Sequence, residues 1–401
     1  MPPYDADTFD VQAAAVNGVS AALLWTAQGQ LTLAYPTKEV KGMFFAMFWV
    51  MFNIGGVVGG FITFGANYNA EEEASAATPT TFLIFIVVMC AGSALVTLLR
   101  DPAEVVRPDG SGVVIPPAPS VARELKAMAA LFTDARVVLL LPMFLYSNWF
   151  FPYHFGIFNA GLFNSRTQGW NTAWYWGAEM VGALVIGKFL DSKRVGSPRR
   201  RALLALFLLF IYVNLTWYWA LQISQSPFIN ATTGERSPRL DFNDKEGASP
   251  FLLYFSWGFV DLTISSWIYW MLGQLTDDPA ELARLVGLYK AIQASGAAVG
   301  WGLGDVAPLH QLKINWIMFG VAAAAAAWVA ARILPTRNGP SDATKKNGAA
   351  WGQQRDQPIA PSDPDGAGAV IGYEDDDGGA LLLPPASDNS TCSYGSGSEG
   401  S

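Results

Sequence analysis

Charge is scarce in this sequence. Lys, Arg, Asp and Glu make up only 14% of its 401 residues, whereas apolar residues make up 51%. Soluble domains carry roughly 25% charged residues. The composition therefore argues against a soluble globular protein.

Cysteine, histidine and nucleotide-binding motifs are also scarce. Two cysteines, Cys90 and Cys392, exclude a disulfide framework, and the two histidines form no Cys/His metal-binding pattern. The phosphate-loop pattern G-x-x-x-x-G-K-S/T does not occur, so ATP-driven transport has no support. Two histidines also give no convincing Ser/His/Asp arrangement. We expect no enzyme activity, no cofactor and no nucleic-acid partner.

Long apolar stretches dominate instead. A transmembrane helix needs roughly 20 apolar residues, and the sequence holds nine candidates: 19–35, 43–66, 80–99, 137–158, 170–187, 202–223, 250–273, 285–304 and 314–334. Together they leave no room for a globular domain between residues 19 and 334. The sequence predicts an all-α, multi-pass transmembrane bundle in a lipid bilayer.

Basic residues fall unevenly between these stretches. If alternate loops face the cytosol, 19 of the 25 Lys and Arg residues lie inside and five outside, with Lys290 within a span. This asymmetry follows the positive-inside rule. It predicts an outer N-terminus and a cytoplasmic C-terminus. The sequon Asn230-Ala231-Thr232 then lies on an outer loop, where Asn230 is a candidate glycosylation site.

Composition divides the chain into five segments. A polar N-terminal segment, 1–17, has no signal-peptide pattern. Three spans form a partial N-terminal bundle over 18–99, and six form a C-terminal bundle over 136–334. The central loop, 100–135, is expected in the cytoplasm, with a short amphipathic helix near 120–132. The acidic tail, 335–401, is rich in Gly, Pro, Ser and Asp, which predicts disorder.

A basic turn follows the fifth span. Its residues run from Gly187 through Asp191 and Gly196 to Arg199, Arg200 and Arg201. This pattern resembles the G-x-x-x-D-R/K-x-G-R/K-R/K signature of the major facilitator superfamily, with two extra residues between the Asp and the second Gly. We expect Gly187 to permit close helix approach, Asp191 to cap and pair, and the arginines to hold the inner surface. The alternative is an ordinary basic inner turn.

The resemblance also implies a helix numbering. In the superfamily the signature recurs between helices 8 and 9 of a twelve-helix plan. The nine spans then correspond to helices 4–12 of a major facilitator fold, and 100–135 becomes the central connection. On this numbering we expect that the chain lacks helices 1–3.

Several longer segments resemble the fungal uncoordinated-93-like (Unc-93-like) group of that superfamily. They are Gly18–Gln30 with Tyr35-Pro36-Thr37, Phe48–Gly56, Ser147–Phe150 and Tyr289–Ala298. The resemblance covers about 18–334. It implies a transporter-like membrane protein of undefined substrate, whose animal relatives are linked to potassium-channel regulation and to trafficking of other membrane proteins.

Ionisable residues within the spans are candidates for a substrate or proton pathway. Asp261, Glu179 and Lys290 lie at membrane depth, where charge is costly and is often functional. Asp261 and Glu179 have a structural hydrogen bond as the alternative, and Lys290 could snorkel to the inner surface. His154 has aromatic neighbours, which favours a packed histidine. Four amides could line a cavity or bond between helices: Gln28, Asn53, Asn148 and Gln293.

Small residues and one proline predict local packing. The pairs Gly55/Gly59 and Gly56/Gly60, and the series Gly296, Gly300 and Gly304, have the spacing that lets helix backbones approach closely. Pro152 is expected to kink the 137–158 span.

Two function classes remain open. The first is a secondary transporter of a small solute or ion, with its site between two bundles. The second is an auxiliary membrane protein that regulates an ion channel or escorts other membrane proteins, and so has a membrane-protein partner. Proton-coupled uptake that depends on Asp261 or Glu179 would separate them.

Overall fold

A computed structural model describes most of the chain between residues 6 and 334. The described residues are 6–35, 41–69, 79–101, 104–106, 110, 112, 120–276, 278–334 and 336. The chain divides into two units, 1–343 and 344–401, and every described residue belongs to the first. The predicted disorder of the acidic tail concerns residues that lie outside this description, apart from position 336.

The described residues form helices and no named strands. The ten α-helices are α1 (Ala6–Ala34), α2 (Lys41–Ala66), α3 (Pro79–Val96), α4 (Val121–Leu131), α5 (Ala135–Trp149), α6 (Ser165–Asp191), α7 (Pro198–Ser224), α8 (Ala248–Leu275), α9 (Pro279–Gly302) and α10 (Pro308–Ile333). A π-helical segment, Pro152–Ala160, follows α5. Short 3-10 turns lie at Lys193–Val195 and Lys245–Gly247.

Five of these elements are long and apolar enough to cross a membrane by length and composition. They are Met47–Ala66, Pro79–Val96, Pro198–Ser224, Lys245–Leu275 and Pro308–Ile333. A sixth candidate combines Val121–Leu131 with Ala135–Ala160, which are bent by 88°. The predicted spans 19–35, 170–187 and 285–304 fall on α1, α6 and α9, which are long but more polar, and the first and third extend one or two residues past the helix end. The structure thus supports a helical membrane protein with fewer clearly apolar spans than the nine predicted.

Helix α6 lies at the centre of the packing. It packs along both α2 and α8, while α5 packs on α9 and α10, and α7 on α8 and α10. The fully buried aromatic residues of this assembly include Trp217, Trp257 and Trp267. Helices α1 and α3 differ, because each packs chiefly on α2.

Glycines set the closest helix contacts. A Cβ at Gly60 would overlap the Ala173 backbone of α6, and one at Gly56 would lie 2.5 Å from the Trp176 ring. In α9, a Cβ at Gly296 would overlap the Leu145 carbonyl of α5. The predicted packing role is therefore confirmed at Gly56, Gly60 and Gly296, since only glycine leaves room for these contacts.

The predicted amphipathic helix of the central loop is confirmed as α4. Ser120 caps its N-terminus by accepting a hydrogen bond from the Arg123 amide. Glu124 of α4 forms a two-point ion pair with Arg284 of α9, at 2.8 and 3.1 Å. The hydrogen bond from Arg284 lowers the pKa of Glu124. The central loop is therefore tied to the start of α9.

Candidate functional site

Two carboxylic acids meet inside the helical assembly. Glu179 of α6 and Asp261 of α8 are both buried, with only 3% and 4% of each residue exposed. Tyr175 and Gly182, about one turn either side of Glu179 on α6, both contact α8, so the two acids face each other at one level of this interface. A Cβ at Gly182 or at Gly258 would overlap backbone of the facing helix. These glycines hold α6 and α8 close together at the level of the acids. We call Glu179 and Asp261 the acid pair.

Tyr175 extends the acid pair towards the π-helical segment. Its hydroxyl donates to Asp261 Oδ2 at 3.0 Å and lies 3.3 Å from His154 Nδ1. Because the single hydroxyl proton points at Asp261, we assign His154 Nδ1 as the donor to Tyr175. His154 Nε2 is then an unprotonated acceptor, and it is buried without a protein partner. One hydrogen-bonded chain therefore links His154, Tyr175 and Asp261, and Glu179 faces Asp261 at its end.

Aromatic stacking fixes the ring of His154. Its ring lies parallel to that of Trp257, with centroids 4.1 Å apart and planes 9° apart, and 4.7 Å from that of Phe150. Pro152 begins the π-helical segment that carries the histidine. Proline lacks an amide hydrogen and interrupts regular α-helical bonding. The kink predicted at Pro152 thus takes the form of a change in helix type, a feature frequent at functional sites.

Lys290 occupies a cage of aromatic rings. Its Nζ lies between 5.1 and 5.7 Å from four ring centroids, those of Trp25, Trp49, Tyr269 and Tyr289. These rings belong to α1, α2, α8 and α9. The ammonium group therefore connects the first two helices to the later ones. Cation–π contacts of this kind contribute about 0.5–2 kcal/mol. The ammonium points into these rings rather than snorkelling away from them.

Gln293 holds Lys290 in this orientation. Its Oε1 accepts a hydrogen bond from Lys290 Nζ at 2.8 Å. Its Nε2 donates to Ser147 Oγ at 3.0 Å and to Tyr289 OH at 2.9 Å. Tyr289 in turn donates to Ser265 Oγ at 3.2 Å. This second network ties α9 to α5 and α8.

Asn53 is buried on α2 with 1% exposure, and neither its Oδ1 nor its Nδ2 has a hydrogen-bond partner. It lies one helical turn before Gly56, on the face that packs against α6. Unpaired buried amides are rare because each costs about 1–3 kcal/mol. The other predicted amides are less buried. Gln28 is half-buried on α1, one turn after Trp25 of the cage, and Asn148 is half-buried on α5 beside Ser147.

The turn between α6 and α7 carries the four residues of the predicted gating loop. Asp191 ends α6 and is exposed, as is Arg200. Arg199 Nε donates to the Leu334 carbonyl at the C-terminus of α10, at 2.9 Å, where a cation is favourable. A Cβ at Gly187 would meet no atom within 4 Å. The predicted close helix approach at Gly187 is therefore wrong, because that glycine faces open space.

A polar cluster joins the end of α2 to α6 and to the loop before α8. Arg166 Nε forms an ion pair with Asp241 Oδ2 at 2.6 Å, and Arg166 Nη1 donates to the Tyr68 carbonyl at 2.8 Å. Burial alone would raise the pKa of Asp241. Hydrogen bonds from Asn164 and Arg166 outweigh burial and hold the pKa of Asp241 below its ordinary value.

Asn230 is exposed in the loop between α7 and α8. Its Oδ1 accepts hydrogen bonds from the Thr232 and Thr233 amides at 2.8 and 3.2 Å. This Asx turn leaves Nδ2, the atom that a glycan would join, outside these bonds. Its glycosylation stays a prediction.

Sequence reasoning missed the residues that connect the predicted ones. Tyr175 is one of 13 tyrosines, and nothing in the sequence distinguishes it. Ser147 and Tyr289 begin two of the segments that resemble the Unc-93-like group, but as uncharged residues they give no sign of a role in the site. Arg166 and Asp241 are 75 positions apart, and their pairing depends on the fold. Within the described part of the chain, no three His, Cys, Asp or Glu side chains could hold a metal ion.

Comparison with known proteins decides the family. Residues 6–326 match the family described as "Ion channel regulatory protein UNC-93". The chain belongs to the UNC-93 family of membrane proteins. Among curated relatives, UNC93-like protein 1 and UNC93-like protein 2 of Arabidopsis thaliana are each 36% identical over 312 residues, which is 77% of this chain and 67% of the relative.

A fission-yeast relative extends the comparison. An UNC93-like protein of Schizosaccharomyces pombe is 32% identical over 292 residues, which is 70% of this chain and 56% of the relative. The chain thus spans about two thirds of the plant relatives and little more than half of the yeast one. No solved structure matches the chain.

Proposed function

We propose that this UNC-93 family chain is a secondary transporter of the major-facilitator type, with nine spans, which moves a small solute or ion by alternating access. The observation that carries the proposal is the pairing of two buried networks. The acid pair lies between α6 and α8, and Lys290 lies where α1 and α2 meet α8 and α9. Ionisable groups at membrane depth are costly, and a purely structural role could use neutral residues.

In this proposal the networks divide the work. Asp261 and Glu179 form the proton pathway, while Lys290 and Gln293 bind the solute at the junction of early and late helices. Three further amides line the pathway from neighbouring helices, namely Gln28, Asn53 and Asn148. The basic turn acts as a gating loop that moves during the transport cycle, and its functional residues are Gly187, Asp191, Arg199 and Arg200.

The proposed topology places the C-terminus in the cytoplasm and the Asn230 loop outside. Supporting it, each ion pair that joins distant segments connects positions assigned to the same side. Arg166 and Asp241 are both assigned outside, and Arg284 and Glu124 both inside. In eukaryotic cells, Asn230→Gln should abolish a glycan-dependent mobility shift, whereas Asn214→Gln, within α7, should not. A glycan that persists in Asn230→Gln would contradict this orientation.

Purified protein in liposomes tests transport. The liposomes carry a pH-sensitive dye and receive a potassium, sodium or chloride gradient, with other small solutes screened in the same way. We expect proton-coupled flux that Asp261→Asn and Glu179→Gln abolish, while the exposed-residue control Asp305→Asn retains it. Asn preserves size and most hydrogen bonding, so the substitution isolates charge. Full flux with unchanged pH dependence in Asp261→Asn would refute the proton pathway.

A second candidate is an auxiliary membrane protein that regulates an ion channel or the trafficking of other membrane proteins. The description of the family as an ion channel regulatory protein favours this alternative. It predicts a stable membrane-protein partner that co-purifies in mild detergent. It also predicts that Asp261→Asn leaves partner recovery unchanged. Co-purification without any flux in liposomes would favour this candidate over the transporter.

A further inference from the structure

Two carboxyl groups are buried opposite each other in the acid pair. Glu179 and Asp261 are almost fully buried, and they face each other at one level of the interface between α6 and α8. Two like charges buried this close would repel strongly, so we expect one of the two carboxyl groups to hold a proton. Only a protonated carboxyl can donate a hydrogen bond to its neighbour. One shared proton leaves a charge of −1 on the acid pair. Lys290, which acts electrostatically on both acids, balances that charge.

The unpaired amide of Asn53 indicates a second state of this site, in which the proton has left the acid pair. On α2, Gly60 packs on Ala173 and Gly56 packs on Trp176 of α6, so the two helices run antiparallel. One more turn along this register brings Asn53 level with Glu179. Glu179 Oε1 is buried without a partner, and so is the Asn53 amide. An unused donor and an unused acceptor therefore lie at the same level of one helix interface.

We infer that Glu179 and Asp261 together bind one exchangeable proton, and that Asn53 Nδ2 becomes a hydrogen-bond donor to Glu179 when that proton leaves. The proton site does not depend on the proposed function. The inference rests on that function only where it makes this proton the ion that is coupled to transport. On release, the oxygen–hydrogen bond of the acid pair breaks and the proton passes to water. The carboxylate left behind gains the amide hydrogen bond, which needs a small shift of α2 along its glycine face.

Other titratable groups around the acid pair set its surroundings. Tyr175 donates to Asp261, and His154 contacts Tyr175. The remaining groups that act electrostatically on the pair, or that the pair acts on, come from α5, α8 and α9: Tyr146, Tyr254, Tyr289 and Lys290. Tyrosines ordinarily stay neutral well above pH 7. The tyrosines are therefore not the source of this proton, and a measurement specific to carboxylic acids separates the acid pair from His154 and Lys290.

Infrared difference spectroscopy tests the proton site without any solute. The full chain in lipid nanodiscs is titrated with base, and the carbonyl band of a protonated carboxylic acid is followed. We expect one buried band that disappears on titration and that is absent at neutral pH in both Glu179→Gln and Asp261→Asn. The exposed control Asp305→Asn should keep it. Absence of the band from the wild-type protein, or its persistence in both variants, would overturn the inference.

The same titration tests the role of Asn53. Removing a donor that stabilises the deprotonated pair should raise the pH at which the band disappears, by about one pH unit in Asn53→Leu. Asn214→Leu, at a half-buried asparagine of α7 that has no place in the proposed pathway, should leave that pH unchanged. An unchanged pH in Asn53→Leu, with the band present, would refute the role of Asn53.

The two proposals can fail separately. Flux in liposomes without a titrating band would leave transport standing and remove the proton site. A titrating band without flux of any tested solute would leave the proton site standing and weigh against transport.

Discussion

Helices α1–α3 and α5–α10 are held in place by different means. Only 6% of the apolar stretch of α3 is buried in protein, compared with 67% of the corresponding stretch of α8. The later helices pack around large buried aromatic residues, whereas α1 and α3 attach chiefly through α2. The early helices therefore depend on a few specific contacts. These are the packing of Gly56 and Gly60 of α2 on α6, the aromatic cage around Lys290, and the ion pair of Arg166 with Asp241, which we call the Arg166 cluster.

This difference in packing indicates which helices can move. Segments with few buried apolar contacts open at low free-energy cost, and moving elements are drawn from them. The rings around Lys290 and the ion pair of Arg166 lie along the boundary between the two regions, and Glu179 lies on α6, the helix that packs along α2. A change of charge there can shift α1–α3 without disrupting the packing of α5–α10.

The largest expected effect comes from overpacking the later helices. Gly296→Val would drive a side chain into the Leu145 carbonyl, so we expect a loss of more than about 5 kcal/mol or failure to fold. Gly92→Val is the matched change in α3, where a Cβ meets nothing within 4 Å. Thermal unfolding in detergent should separate them widely. Equal losses of stability in Gly296→Val and Gly92→Val would contradict the difference between the early and the later helices.

Removing a buried aromatic residue should have the next largest effect. Trp257 is 1% exposed and contacts the rings of His154, Phe158 and Trp217. Trp257→Ala should cost about 3–5 kcal/mol. Phe82→Ala in α3, where the side chain is 61% exposed, should cost far less. Unfolding midpoints of the two variants in one detergent give the measurement, and a larger loss for Phe82→Ala would contradict the account.

Lys290→Met should loosen the early helices selectively. The change removes cation–π contacts with rings of α1 and α2, which contribute about 0.5–2 kcal/mol. Hydrogen exchange in α1 and α2 should rise, while α5–α10 stay protected. Lys313→Met, at an exposed lysine, serves as the control. If Lys290→Met changes hydrogen exchange equally in α1–α2 and in α5–α10, the cage does not connect the early helices to the later ones.

Acid should weaken the Arg166 cluster slightly. The pKa of Asp241 is lowered in the folded protein, so the stability it contributes is present above its ordinary value near 4 and is lost as pH falls below that range. We expect about 1 kcal/mol, because the ion pair is partly exposed. Asp241→Asn should flatten this pH dependence in denaturation experiments, and Asp305→Asn should not. An acid dependence that survives in Asp241→Asn would point to other groups.

Much of the helical architecture could be predicted from the sequence. Long apolar stretches identify helices because the bilayer core demands them, and α4 was predicted from its amphipathic spacing. The membrane-depth positions of Asp261, Glu179 and Lys290 followed from the same stretches. Gly187 was misjudged because a helical glycine permits close approach only where a neighbouring helix lies against it.

The connections between candidate residues could not be predicted. The acid pair joins residues that are distant in sequence, and the link through Tyr175 depends on how α6 and α8 pack. Because α1, α6 and α9 are partly polar, the nine spans predicted from the sequence exceed the number of clearly apolar helices in the described residues. Their polar residues include Glu179, Lys290 and Gln293, so α6 and α9, which carry much of the site, are less clearly identified by apolarity than α8.

The central claim is that the acid pair serves function rather than stability. The thermal midpoint of Asp261→Asn in lipid nanodiscs at neutral pH tests it most directly, because no solute is needed. A functional acid imposes a cost, so we predict a midpoint equal to or above that of the wild-type protein. A midpoint several degrees lower would show that Asp261 holds the helices together, and would contradict the account.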